Sequence, residues 1–293
     1  MEFVTRQINL KSGQTLRIIP LGCIHYGHIG HHEELYKECL KEGLKSNTYF
    51  IGLGDELDFA RTSYRKALRA ALPDEDSPAA LDDFVARRMD DFIKLSQPIF
   101  NKEKCIGALE GNHHWIFTVT EAERCIFAGE TNTTYMCRKQ GFPYLGDAAY
   151  IQLKIHIDGK YEDELVILAS HMYGQGGGGT VGADLNKMEK IEAGFDADVI
   201  IGSHSHKKCS YILPRIVYNK KQNSLDEKPC VLIKTGAFLR SYIPSRSTYA
   251  EKALMRPIDL GWVTLCISYD KKKTYLEKNI YTIVGNRKKL YYE

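Results

Sequence analysis

The sequence has no C-x-x-C pair: its eight cysteines stand at positions 23, 39, 105, 125, 137, 209, 230 and 266. That spacing suggests neither a zinc ribbon nor a dense disulfide framework, and points to an intracellular, cytoplasmic chain with reduced thiols. Long hydrophobic runs are also missing. The longest, such as Leu165 to Ala169 and Val263 to Ile267, are about a quarter of what a membrane-spanning helix needs. The first ten residues, MEFVTRQINL, alternate polar and apolar side chains and lack the basic-then-apolar layout of a secretory signal. Charge of one sign is scarce too. With 40 Lys+Arg against 37 Asp+Glu, the net charge is +3, too small for a protein that coats DNA through bulk charge or for an acidic solvating tail. There is no internal repeat and no long linker.

What is present is ordinary globular material, 43% apolar and 11% aromatic over 293 residues. The first two thirds alternate strand and helix signals. Short apolar, often β-branched runs at 16–21, 49–53, 105–109, 150–157, 165–169 and 198–201 read as strands. Asp158-Gly159 marks a hairpin between two of them. Residues 33–45 carry Leu35, Cys39, Leu40 and Leu44 on one helical stripe, and 181–193 reads as a further helix. Ser77-Pro78 opens another, as an N-cap followed by proline at the first helical position. From about residue 208 the pattern turns to strand-like runs at 210–218, 230–235, 261–268 and 274–284. The polar stretch 219–228 reads as a hairpin loop. The expectation is one domain over residues 1–293, with a helical insertion around 62–97 and a hairpin-rich C-terminal part.

Side chains able to hold a metal gather at five places, each where an apolar strand ends: Cys23 and His25, Asp55 and Asp58, Asn112 and His113, His171, and His204 with His206. In open α/β sheets, ligands bind at the carboxyl ends of strands, so residues distant in sequence can meet in one crevice. A single loop histidine or Gly-Asp pair signifies little, being more often a solvated residue or a turn. Five successive strand exits of this kind form a pattern.

The motifs read G-C-I-H at Gly22 to His25, G-D-E-L-D at Gly54 to Asp58, G-N-H-H at Gly111 to His114, S-H-M at Ser170 to Met172, and G-S-H-S-H at Gly202 to His206. In this order they resemble the calcineurin-like metallophosphoesterase superfamily, whose pattern is D-x-H, G-D-x-x-D, G-N-H-[DE], a lone H and G-H-x-H. The resemblance implies a four-layer α/β sandwich, with two mixed β-sheets flanked by helices. It also implies two divalent metal ions, drawn from Mn, Zn or Fe. Cys23, His25, Asp55 and His206 would hold the first, and Asp55 would bridge to a second held by Asn112, His171 and His204. A hydroxide activated by both ions would then attack a phosphoester. His113 would protonate the leaving alkoxide or stabilise charge on phosphoryl oxygens, and Asp58 would orient a ligand histidine or a loop amide.

Two departures from the pattern stand out. Cys23 replaces the usual aspartate, as in RNA lariat debranching enzymes, and its softer thiolate biases the first site towards Zn or Fe. His114 replaces an acidic residue, removing a potential acceptor beside His113. Around the site, His28 follows the first motif closely. Gly176 and Gly177 lie in a four-glycine run whose amides could approach phosphate. Arg240 belongs to a basic-aromatic segment with Tyr242 and Arg246. These features favour a phosphodiester of nucleotide or nucleic-acid type over a phosphomonoester or phosphoprotein. The rival from another class is a non-catalytic phosphoesterase-like binding scaffold.

Overall fold

The computed structural model describes residues 1–59, 77–120, 124–173, 180–243, 245–271, 276–284 and 287–290. Two six-stranded mixed sheets stack face to face. The first runs β1 (Glu2–Leu10), β5 (Ala148–Ile157), β6 (Lys160–Ser170), β7 (Val199–Gly202), β11 (Cys230–Thr235) and β8 (Lys208–Leu213). The second runs β14 (Arg287–Leu290), β13 (Leu276–Val284), β12 (Val263–Lys271), β2 (Thr15–Leu21), β3 (Thr48–Gly52) and β4 (Cys105–Ala108). A separate two-stranded ribbon pairs β9 (Ile216–Asn219) with β10 (Ser224–Glu227).

The period-2 alternation of side chains sorts each strand between two cores. On β2, Leu16 and Ile18 face the layer between the sheets, while Ile19 and Leu21 face outwards. The inter-sheet layer joins these to Ile51, Leu265 and Ile267 from their own sheet and to Ile151, Ile167, Val199 and Ile233 from the other. Outside the second sheet lie helices α1 (Glu33–Gly43), α2 (Ser77–Ser96) and α3 (Asn132–Gln140), which contribute Tyr36, Met89, Phe92 and Tyr135 to a second core. Outside the first sheet, helix α4 (Val181–Glu192) buries Met188 against Leu168, Ile200 and Leu232. The result is the four-layer order helix, sheet, sheet, helix. A single short turn, α5 (Tyr249–Lys252), lies outside these layers.

Register positions the site. Parallel pairing sets Leu21 beside Gly52 and Gly52 beside Ala108 in one sheet, and Ser170 beside Gly202 in the other. Five strands therefore finish level on one rim, and the five motifs leave from there.

Several expectations need adjusting. The run 210–218 is two strands, because Pro214 supplies no backbone N–H to continue the ladder. The polar stretch 219–228 contains β10 rather than loop alone. The alternating amino terminus pairs in parallel with β5, and α3 had no periodic apolar signal to announce it. Asp158 and Gly159 do form the hairpin turn, both with positive φ (52° and 82°), as a two-residue primed turn requires. Of the helical insertion expected around 62–97, residues 77–96 form α2 and residues 62–76 lie outside the described residues.

Candidate metal centre

The loops at the rim hold their backbones in an unusual state. Cys23, His25, Asp55, His204 and His206 all adopt φ between 52° and 69°, the left-handed region that costs a residue with a side chain roughly 1 kcal/mol or more. Surrounding contacts enforce it. Cys23 N donates to Gly54 O, and His25 N donates to Asp55 O, so the first two motifs lace together. Gly111 packs so tightly on Asp55 that a Cβ there would fall on the Asp55 backbone nitrogen and carboxyl. The third motif is locked to the second at that point.

The side chains converge as two neighbouring groups, with Cys23 in reach of both and Asp55 beside His171. In one, His25 Nε2 and His206 Nε2 are 3.1 Å apart, and the Cys23 thiol joins them as a set able to hold a metal. In the other, Asn112 Oδ1 lies 2.9 Å from both His171 Nε2 and His204 Nδ1. The two ring nitrogens are 3.2 Å apart, and Asp55 Oδ2 sits 3.2 Å from His171 Nε2. Cys23, Asp55 and His171 form a further donor set spanning the groups. Donors about 2.1 Å from one ion and separated by 90–110° lie roughly 3.0–3.4 Å from each other, so the spacings fit metal ligation.

The outer contacts of the histidines fit it as well. His171 Nδ1 faces the Leu53 carbonyl at 2.6 Å and His25 Nδ1 faces Asp58 Oδ1 at 3.1 Å. The Nδ1 side of each ring is thus anchored outward on an oxygen acceptor and the Nε2 side faces inward, the arrangement usual behind metal-bound imidazoles. Burial, helped by His171, pushes His204 down to about 4, and burial with His25 pushes His206 down as well. Both side chains are therefore biased to the neutral form that a metal ligand needs. Burial works to raise the Asp55 carboxyl, but His171, His25 and His113 outweigh it and hold the group ionised. The Cys23 thiol goes the other way, raised by burial and then by the Asp55 charge.

Asp58 and His113 stand next to these donors. Asp58 Oδ1 is 2.8 Å from His113 Nδ1 and 3.1 Å from His25 Nδ1. Burial opposes charge on His113, yet Asp58 and Asp55 raise its pKa above that of a free histidine. His113 N also donates to Asp55 Oδ1 at 2.8 Å. His114, the departure from the acidic pattern, turns aside to donate its Nδ1–H to Gly111 O (2.6 Å), while Asp58 meets His113.

Among the residues expected to touch substrate, His28 is half-buried, with Nε2 3.8 Å from Asp58 Oδ2. Arg240 follows β11 on the same rim, held by its N–H to Gly30 O, with its guanidinium half exposed and 4.0 Å from Glu34. Gly176 and Gly177 lie outside the described residues. Four residues went unnoticed in the sequence. Ser203 donates its hydroxyl to the same Leu53 carbonyl that receives His171. Lys234 bonds to the Ser203 carbonyl. Tyr173 is 63% exposed, with its ring edge-on to His204 at 5.4 Å. Glu56 is buried with both carboxylate oxygens unpartnered. The signals were available for two of them: a lysine inside the apolar run C-V-L-I-K-T, and a glutamate inside a motif that is otherwise ligating or apolar.

No protein-family model matches the chain, and no curated protein does. Solved structures resemble it at low identity. Vps29 from Entamoeba histolytica complexed with Zn+2 is 13% identical, with 94% of this chain and 96% of that one covered and a TM-score of 0.35. A predicted phosphoesterase from Streptococcus pneumoniae TIGR4 is 9% identical, with 91% and 98% covered and a TM-score of 0.33. Vacuolar Protein Sorting 29 from Cryptosporidium parvum is 11% identical, with 92% and 98% covered and a TM-score of 0.35. Likenesses of this size bear on no residue's role. The layered pair of mixed sheets, with five ordered motifs meeting on one rim, is the arrangement that the resemblance of those motifs to the calcineurin-like metallophosphoesterases implies.

Proposed function

We propose that the chain is a metal-dependent phosphoesterase with a binuclear centre, and that its substrate is a phosphodiester of nucleotide or nucleic-acid type. The observation that carries the reading is the convergence of side chains from five strand exits on one rim, where Cys23, His171 and the His113 amide meet Asp55 and His25 meets His206. Cys23, His25, Asp55 and His206 would hold one ion, and Asp55, Asn112, His171 and His204 the other, the thiol biasing its site towards Zn or Fe. When bound, such ions supply positive charge to phosphoryl oxygens and acidify coordinated water.

The chain's own groups supply the rest. Burial opposes a charge on His113, but Asp58 at its Nδ1 side and Asp55 favour the protonated ring, leaving Nε2 to give a proton to the departing oxygen. Asp58 couples this proton donor to the ligand His25 through one carboxylate oxygen. Arg240 and His28 stand on the rim as partners for a phosphate, and Tyr173 offers an exposed ring beside His204 for a base or aryl group. A cytoplasmic setting belongs to the same reading, supported by a cysteine spacing with no C-x-x-C pair. Among the described residues no helix is long and apolar enough to cross a membrane.

Hydrolysis of bis-p-nitrophenyl phosphate and of p-nitrophenyl phosphate, each with added Mn, Zn or Fe, tests the assignment. Faster turnover of the diester supports it. Preference for the monoester would favour a phosphomonoesterase or protein phosphatase. No turnover of either, with His113→Ala indistinguishable from wild type in metal content and in partner binding, would favour a binding scaffold.

A further inference from the structure

Lys234 lies on β11, in the interior of the first sheet and only 2% exposed. Burying an ammonium group costs several kcal/mol unless its protons are well used, and a leucine or methionine would fill the same strand position at no such cost. Among the described residues its Nζ has two hydrogen-bond partners. It donates to the Ser203 carbonyl at 2.8 Å and to the Met172 sulfur at 3.4 Å. Ser203 immediately precedes His204, and Met172 immediately follows His171. One ammonium therefore ties together the two loops that bring these histidines to Asn112.

The surrounding packing supports that arrangement. Lys234 pairs across the ladder with Gly202, where a Cβ would fall on the Met172 sulfur. The glycine thus opens the path by which Met172 crosses the end of β7 to reach the lysine. The Ser203 hydroxyl then meets His171 Nδ1 at 3.0 Å and the Leu53 carbonyl at 2.9 Å. A continuous chain of contacts runs from Lys234 through Ser203 to the back of His171.

We infer that Lys234 is a positioning residue, which clamps the His171 and His204 loops at the separation needed for a metal ion between them. This deepens the binuclear reading and rests on it. The clamp has a distinctive consequence. By charge alone a buried ammonium repels a nearby cation, so removing it without disturbing the loops would tighten metal binding. If it acts as a clamp, removing it loosens the donors and weakens binding, by the 10–100-fold typical when an outer contact of a metal ligand is lost.

The test is Mn²⁺ titration of the full chain by calorimetry, for wild type, Lys234→Met and Lys234→Gln, with thermal unfolding of each metal-free protein as a control on folding. The expected result is two ions in wild type, and one retained and one weakened 10–100-fold in both folded variants, less so in Lys234→Gln because the amide can still donate to Ser203. Unchanged or tighter binding of both ions in the variants would overturn the clamp. So would failure of both variants to fold, since the lysine would then be serving stability in general. A wild type that binds no second ion would instead overturn the binuclear reading itself.

Discussion

The Nε2 atoms of His25 and His206, 181 residues apart in the chain, face each other at 3.1 Å. His25 gives its other nitrogen to Asp58, and His206 is held neutral by its burial. Two imidazoles so disposed present lone pairs to a shared point, and the adjacent Cys23 thiol completes a soft donor set.

Cys23 couples metal binding to protons. Its thiol is raised by burial and by Asp55, while ligation needs the thiolate. Filling the first site is therefore expected to release about one proton per chain near pH 7, read as a dependence of the calorimetric heat on buffer ionisation enthalpy. Cys23→Asp, whose carboxyl is already ionised, should release less and keep more activity than Cys23→Ala. Equal wild-type rates in both variants would show that Cys23 holds no functional metal.

His113 is expected to matter for turnover and not for loading. His113→Ala should lower kcat by roughly 10²–10⁴-fold with metal content unchanged. Because Asp58 raises the ring's pKa, the protonated acid is lost as pH rises through that raised value, and the alkaline limb of kcat should report it. Asp58→Asn removes the raising charge and should move that limb to lower pH.

Glu56 makes a prediction about stability. Burial, reinforced by Glu110 and Asp55, pushes its carboxyl from 4.5 up to about 8. The folded state then binds this proton more tightly than the unfolded state, so its contribution is most favourable below about 4.5 and declines as pH rises to about 8, by a few kcal/mol. Urea unfolding of metal-free Glu56→Gln should lack this slope. If wild type and variant lost stability in parallel over that interval, Glu56 would be ionised in the fold.

Gly111→Ala should cost the centre more than it costs the fold. Its Cβ would meet the Asp55 nitrogen and carboxyl, so displacing the shared carboxylate should remove most of the bound metal. Retention of full metal content would mean that the second and third motifs are less tightly locked than their contacts indicate.

The sequence made the rim legible because its strands are short apolar runs cut off by glycine: 16–21 before Gly22, 198–201 before Gly202. Their level endings on one face depend on parallel registers such as Ser170 with Gly202, which no local pattern encodes. The pairing of β1 with β5 was hidden for the same reason. Helix α3 is short and mostly polar; it buries Tyr135, Met136 and Cys137 side by side rather than as a repeating stripe, and its ends are set by the Thr131 and Thr134 capping box and the left-handed Gly141. At the site, residue types announced the donors, but not the direction of Glu56 or the reach of Lys234. Those depend on how distant strands stack.

The most direct test is elemental analysis of the protein purified without added metal, beside Asp55→Ala. The shared carboxylate predicts about two transition-metal ions per wild-type chain, with loss of most of both in the variant. Fewer than about one ion in wild type after Mn²⁺ or Zn²⁺ is supplied, or the same content in Asp55→Ala, would contradict the binuclear account.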